Sequence, residues 1–357
     1  MASRFAILGY SLSRESGESR LILNLARAIR LTGAEVTIHV LSASPDYVAD
    51  ARNAGIPLVY SRQFLRPQEL LRIMRYDTVF ARRLWRQVSA DTRADAYIVA
   101  QDAALPIMEF GLPGRSIFLC QGDLSLLLLD QGFRLRHPVT SRILALGLVG
   151  QLRRHARWVE RFDVLLANSE FTRSLASFIY DVPFQGVIYP PVDVNFFIPG
   201  VAKPHAPFAL TVLRSKADSS YGAVCEIAKE VPMKVVGGAS IPGAQNMGRV
   251  SDTVLRDLYA SASVTISIGC REYFGYPILE SLSCSTPVLA LRQGGVTEMV
   301  QQGVNGWLMS DIRQLKKKAG DIFRSPYSSK MRESARSRAL DFSIEATGSR
   351  ATSLIGI

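Results

Sequence analysis

The chain has 357 residues, 48% of them hydrophobic and 20% charged, with a formal net charge of +11. That length and apolar content suffice for two buried cores and exclude a disordered chain. Cys120, Cys225, Cys270 and Cys284 sit among apolar neighbours without C-x-x-C spacing, so neither a zinc site nor a disulfide framework is expected, and the chain reads as one of a reducing compartment.

The first residues, "MASRFAILGYSLSRESGES", hold one short apolar run ending at glycine and no small-residue cleavage pattern, which argues against a secretory signal. No window reaches eighteen continuous apolar residues, so no membrane-spanning helix is expected and the location reads as cytoplasmic or peripheral on a membrane face. "RFAILGY" predicts a strand. In "SGESRLILNLARAIRLTG", Leu21, Ile22, Leu25, Ala26 and Ile29 recur at helical spacing and Gly33 suits the end of the helix. "EVTIHVLS" then alternates like a strand, and "AYIVAQD", "SIFLCQGD" and "VLLANSE" are further short apolar runs separated by helix-length segments. Such alternation predicts parallel sheets covered by helices.

No lysine precedes Lys203, so the N-terminal half takes its positive charge from arginine, whose fork suits phosphate and carboxylate. The densest patch, residues 134 to 162, carries seven arginines against Glu160. Its apolar positions Ile143, Leu144, Leu146, Leu148, Val149 and Leu152 fit either a core helix with a solvated basic end or a helix that docks on anionic lipid.

The proline-rich stretch 187–207 has the composition of an interdomain connection. Beyond it the alternation resumes, with "FALTVLR", "MKVVGGAS", "VTISIG", "TPVLALR" and "GWLM" as strands and "SYGAVCEIAKEV", "SDTVLRDLYASAS" and "YPILESLSCS" as helices. The expected architecture is α/β, two doubly wound domains facing each other across a cleft, with a ligand at the carboxyl ends of the strands.

One stretch calls for chemistry. In "REYFGYPILESL" the loop after "VTISIG" places Pro277 at the first position of a new helix and Glu280 in its first turn. Free N–H groups and the positive dipole end there suit a diphosphate, and Gly275 lets the backbone come close. Glu272 and Glu280 can accept hydrogen bonds from hydroxyls, so a sugar nucleotide satisfies both features. The competing reading is dipole compensation and plain surface charge.

Around these residues the chain resembles the retaining glycosyltransferases of family 4, glycosyl transferases group 1, which have the two-domain GT-B fold. The resemblance runs in order through "LLANSEFTRSLA", "VIYPPVD", "VVGGAS", "GRVSDTVLRDLYASASVTI", "REYFGYPILESLSCSTPVLA", "GGVTEMVQQGVNGWL" and "DFSIEATGSR". More loosely, "SGESRLILNLARAIRLTGAEVTIHV" looks like the family's first loop, helix and second strand. The resemblance implies an acceptor-binding Rossmann-like domain over 1–195, with a helix at about 341–357 packing back on it, and a nucleotide-sugar domain over 196–340. It also implies that Glu272 contacts sugar hydroxyls, Glu280 the ribose, and the backbone around Phe274, Gly275, Tyr276 and Pro277 the diphosphate and sugar. Arg249 and Val250 would meet the nucleobase, and Gly17 the donor phosphate.

The family's arginine and lysine five positions apart are not reproduced. Arg214 fits the first, but Ser219 stands at the second, and Lys216 would have to substitute. The family's histidine after an N-terminal strand is replaced by "LCQGDLS", leaving Asp123 to position sugar or acceptor, or simply to cap the following helix. His39, His137, His155 and His205 have no metal-ligand spacing, and there is no D-x-D triplet, G-x-S-x-G elbow, P-loop or G-x-G-x-x-G. No aromatic-basic interleaving accompanies the arginines, so nucleic acid is not an expected partner. The expectation is a retaining, metal-independent transferase with no cofactor beyond its nucleoside diphosphate sugar donor. Its acceptor would be a glycan or lipid-linked glycan, as in surface polysaccharide assembly at an anionic membrane face. The other reading is a sugar-nucleotide-binding partner subunit without turnover.

Overall fold

The computed structural model describes residues 2–13, 16–60, 82–86, 88, 94–122, 138–200, 206–213, 220–269, 273–325 and 327–356, with the backbone alone for 138–148. It divides into two compact units, Met1–Pro191 with Ile344–Ile357, and Val192–Ser343.

The first unit contains β1 (Arg4–Leu8), β2 (Ser11–Leu12), α1 (Gly17–Leu31), β3 (Glu35–His39), β4 (Ser42–Ala43), α2 (Pro45–Asn53), β5 (Leu58–Val59) and β6 (Ala96–Val99). A 3-10 helix at Asp102–Glu109 is followed by β7 (Arg115–Cys120), α3 (Pro138–Val159), β8 (Val164–Ala167), α4 (Glu170–Tyr180) and β9 (Gly186–Val187). The described strands form a parallel sheet in the order β5-β3-β1-β6-β7-β8-β9, and β2 pairs with β4 in a small second sheet. The order turns back between β1 and β6, the mark of a doubly wound fold. Its central strands are apolar throughout because both faces are covered: Ala6, Ile7, Leu8 and all of Ala96–Val99 are fully buried. Phe118 centres the core, its ring 5.6 Å from Phe162 and 6.1 Å from Phe184. Gly33, at φ 89°, follows the end of α1 as the sequence suggested.

The second unit runs through β10 (Ala209–Val212), α5 (Tyr221–Ala228), β11 (Met233–Val236), β12 (Gln245–Gly248), α6 (Asp252–Ser261), β13 (Val264–Ser267) and α7 (Tyr276–Ser283). It continues with β14 (Val288–Leu291), α8 (Val296–Met299), β15 (Gly306–Met309), α9 (Ile312–Arg324) and α10 (Ser329–Leu340). All neighbours in its sheet are parallel, in the order β12-β11-β10-β13-β14-β15. Side chains of Ser44, Ser169, Ser251 and Asp311 each accept the backbone N–H three residues on, fixing where α2, α4, α6 and α9 begin. The last helix, α11 (Ile344–Ile355), belongs to the first unit, where it packs on α1. Gly348 makes that approach possible, since a Cβ there would run into the carbonyl oxygen of Ala28. Among the described residues no helix is long and apolar enough to cross a membrane.

Candidate functional site

In the second sheet the strand order turns back between β10 and β13, which pair through Ala209↔Val264 and Leu210↔Thr265. A doubly wound sheet opens its ligand crevice there, at the carboxyl ends of the strands. The chain leaving β13 on that edge is the segment that ends in α7.

Three features shape the described part of this loop. Gly275, buried at φ 102° and ψ 80°, is the N-cap of α7, a left-handed conformation that a side chain would strain. The Phe274 ring turns inward, 3% exposed, against Phe342 with centroids 5.8 Å apart. From the neighbouring β14–α8 loop, Gln293 donates its Nε2 to the Gly269 carbonyl at 2.9 Å, and Gly295 passes so close that a Cβ would collide with the Tyr273 carbonyl. Gln293 and Gly295 are structural contributors that strand and helix periodicity did not mark. The adjacent glycines after a strand, in "RQGG", were the available signal.

The helix starts one residue earlier than expected. Tyr276 is its first residue and Pro277 its second, because the left-handed Gly275 already redirects the chain. Glu280 is therefore the fifth helical residue, beyond the first turn, which contains no acidic residue. Nor is it a surface charge: the residue is 2% exposed, between buried Leu279 and Ser281. Ser281 holds this face to the sheet: its hydroxyl donates to the Thr286 carbonyl at 2.9 Å and lies in hydrogen-bond contact with the Thr265 hydroxyl at 2.7 Å. One turn on, the Cys284 thiol is pushed up to about 12, first by burial and then by the Glu280 charge, so it stays protonated. Dipole compensation at a solvated helix start does not describe this carboxylate.

Arg249 and Val250 lie between β12 and α6, Arg249 exposed and Val250 half-buried. They share the carboxyl edge with the 273–277 loop but stand three strands from β13, about 14 Å at ordinary strand spacing. Gly248, at φ 66°, turns the chain just before them. Gly17 opens α1 in the first unit, after its N-cap Ser16. At the corresponding edge of that unit, Gln101 accepts the Tyr10 N–H at 2.7 Å through Oε1 and donates Nε2 to Glu18 at 2.9 Å. Glu272, Asp123, Arg214 and Lys216 lie outside the described residues. Phe274, Gly275, Tyr276, Pro277 and Glu280 thus come together on one loop and helix, with Arg249 and Val250 along the same edge.

Residues 225–325 match the family model described as Glycosyl transferases group 1. Over 21% of this chain and 22% of the relative, the sequence is 36% identical to D-inositol 3-phosphate glycosyltransferase of Nocardiopsis dassonvillei. It is 46% identical to the protein of that name in Acidothermus cellulolyticus over 15% of this chain and 12% of the relative. The chain therefore spans about a fifth of the length of the first of these curated relatives and about an eighth of the second. The sucrose-phosphate synthase of Thermosynechococcus elongatus has a similar structure, with a TM-score of 0.78 at 14% identity over 99% of this chain and 98% of that one. Anabaena HepE in complex with UDP and glucose gives 0.76 at 14% identity over 98% of both chains.

The fold is that of the GT-B glycosyltransferases. Within this GT-B chain, the group 1 segment encloses Arg249, Val250, the 273–277 loop, Glu280, Gln293 and Gly295, while Gly17 falls outside it.

Proposed function

We propose that the protein is a glycosyltransferase that moves a sugar from a nucleoside diphosphate sugar to an acceptor held mainly by the first unit, with retention of configuration and without a metal. The observation that carries this reading is the buried Glu280, on a helix whose tip begins at left-handed Gly275 where the strand order turns back. That tip turns the positive dipole end of α7 toward the donor diphosphate. Glu280 accepts from the ribose hydroxyls, Glu272 from the sugar, and the backbone of Arg249 and Val250 meets the base. Gly17 supplies a phosphate contact from the first unit. Arg214 and Lys216 oppose charge developing on the leaving diphosphate, and Asp123 positions sugar or acceptor. Similarity to a structure holding UDP and glucose supports the donor class.

In the proposed step the acceptor oxygen bonds to the anomeric carbon on the face from which diphosphate departs. The anomeric carbon–oxygen bond breaks, its electron pair stays on the β-phosphate, and that phosphate takes the acceptor proton. No other cofactor is needed. Incubation with uridine, guanosine and adenosine diphosphate sugars should release the matching nucleoside diphosphate. Ser219 in place of the expected lysine favours one other reading, a binding subunit: donor binding with no turnover on any donor or acceptor would support it and overturn the enzyme.

The basic helix α3 supports a reading of the acceptor class. Its described end exposes Arg153, Arg157 and Val149, which suits an acceptor presented at an anionic membrane face, as in lipid-linked or surface glycan assembly. Anionic liposomes should retain the protein at low salt; no retention removes the membrane part of the proposal.

A further inference from the structure

We infer that Phe342 and Arg336 are positioning residues for the donor loop and helix, fastening both ends of 273–283; the inference rests on the donor-site reading above. At the front end, Phe342 is 2% exposed and receives the Phe274 ring, with an interplanar angle of 59°. The Arg338 guanidinium lies 4.8 Å from the centre of the Phe342 ring. The Phe342 carbonyl accepts the Val192 N–H at 2.9 Å, and Val192 bridges to Ser343. The loop is thus held against the two stretches by which the chain enters and leaves the second unit.

At the back end, Arg336 reaches three carbonyls. Its Nη1 donates to Ser283 at 2.7 Å and to Phe197 at 2.9 Å, and its Nη2 donates to Val194 at 2.9 Å. Ser283 is the last residue of α7, so its carbonyl has no partner within the helix, and a cation there opposes the negative dipole end. Val194 and Phe197 belong to the same entering stretch that bonds Phe342. Front and back of the donor element are therefore tied to one neighbouring scaffold.

Position follows from length. A helix of eight residues is too short to hold its direction by its own hydrogen bonds, so its anchors decide where its N–H tip points. Glu280 rides on the same two turns, and any tilt displaces tip and carboxylate together. Small misplacements of such groups are costly in binding and rate.

The test is calorimetric titration of UDP, GDP and ADP into wild type, Phe342→Leu, Arg336→Lys and Ile322→Val, each well below its unfolding temperature. Ile322, on the buried face of α9, lies in the core of the second unit and serves as a stability control. The expected result is a dissociation constant raised about three- to tenfold by Phe342→Leu and Arg336→Lys, the scale of a lost aromatic pair or charged hydrogen bond. Ile322→Val should lower the unfolding temperature and leave affinity unchanged. Wild-type affinity in both positioning variants, or equal weakening by Ile322→Val, would overturn the inference alone. Failure of wild type to bind any of the three nucleotides would overturn the donor-site reading and this inference with it.

Discussion

A carboxylate is expensive to bury, and Glu280, at 2% exposure, is on a helix that also packs Ile278, Leu279 and Leu282 into the core. A glutamate serving only solubility would cost nothing on an exposed face, so solubility does not account for its place here. Glu280→Gln keeps size and shape but removes the charge. It is expected to raise the KM for the donor at least about tenfold, the worth of one or two charge-assisted hydrogen bonds. An unchanged KM would remove the ribose role. The neighbouring Cys284 thiol, held protonated by burial and by Glu280, is not a nucleophile at neutral pH.

At the scale of elements, legibility followed locality. The buried strands read clearly because each is a short, unbroken apolar run, and the 273–283 segment stood out because glycine, proline and glutamate cluster within a few positions. β12 was not foreseen: Gln245–Gly248 is a polar, largely exposed edge strand, fixed by pairing with β11 rather than by apolar alternation. Gln293 and Gly295 meet Gly269 and Tyr273 across more than twenty residues, and Arg336 reaches carbonyls far along the chain. No local spacing encodes such contacts.

A strand-level device in the first unit is open to a pH test. Asp163, just before β8, accepts both the N–H and the hydroxyl of Ser116 in β7 at 2.7 Å through one oxygen, and these bonds hold its pKa below the usual carboxylate value. A lowered folded pKa adds stability above the unfolded value near 3.8, and that stability is lost as pH falls through the folded pKa. Asp163→Ala should therefore lower the unfolding temperature by about 2–4 °C at pH 7. In thermal melts the gap from wild type should narrow as pH drops below the carboxylate range; a gap independent of pH would contradict this account.

For the whole molecule, two doubly wound units share one chain. The second unit holds the group 1 segment and the buried Glu280, whereas the first draws its charge from arginine and is completed by α11. The net charge of +11 suits a polyanionic donor and an anionic membrane alike, and screening by salt should weaken the second far more than the first. The most direct test of the central claim is a crystal structure of the protein soaked with the nucleoside diphosphate sugar it turns over. The account predicts diphosphate density within hydrogen-bond distance of the backbone N–H groups at the tip of α7, with the ribose on Glu280. Density elsewhere, with that tip empty, would contradict it.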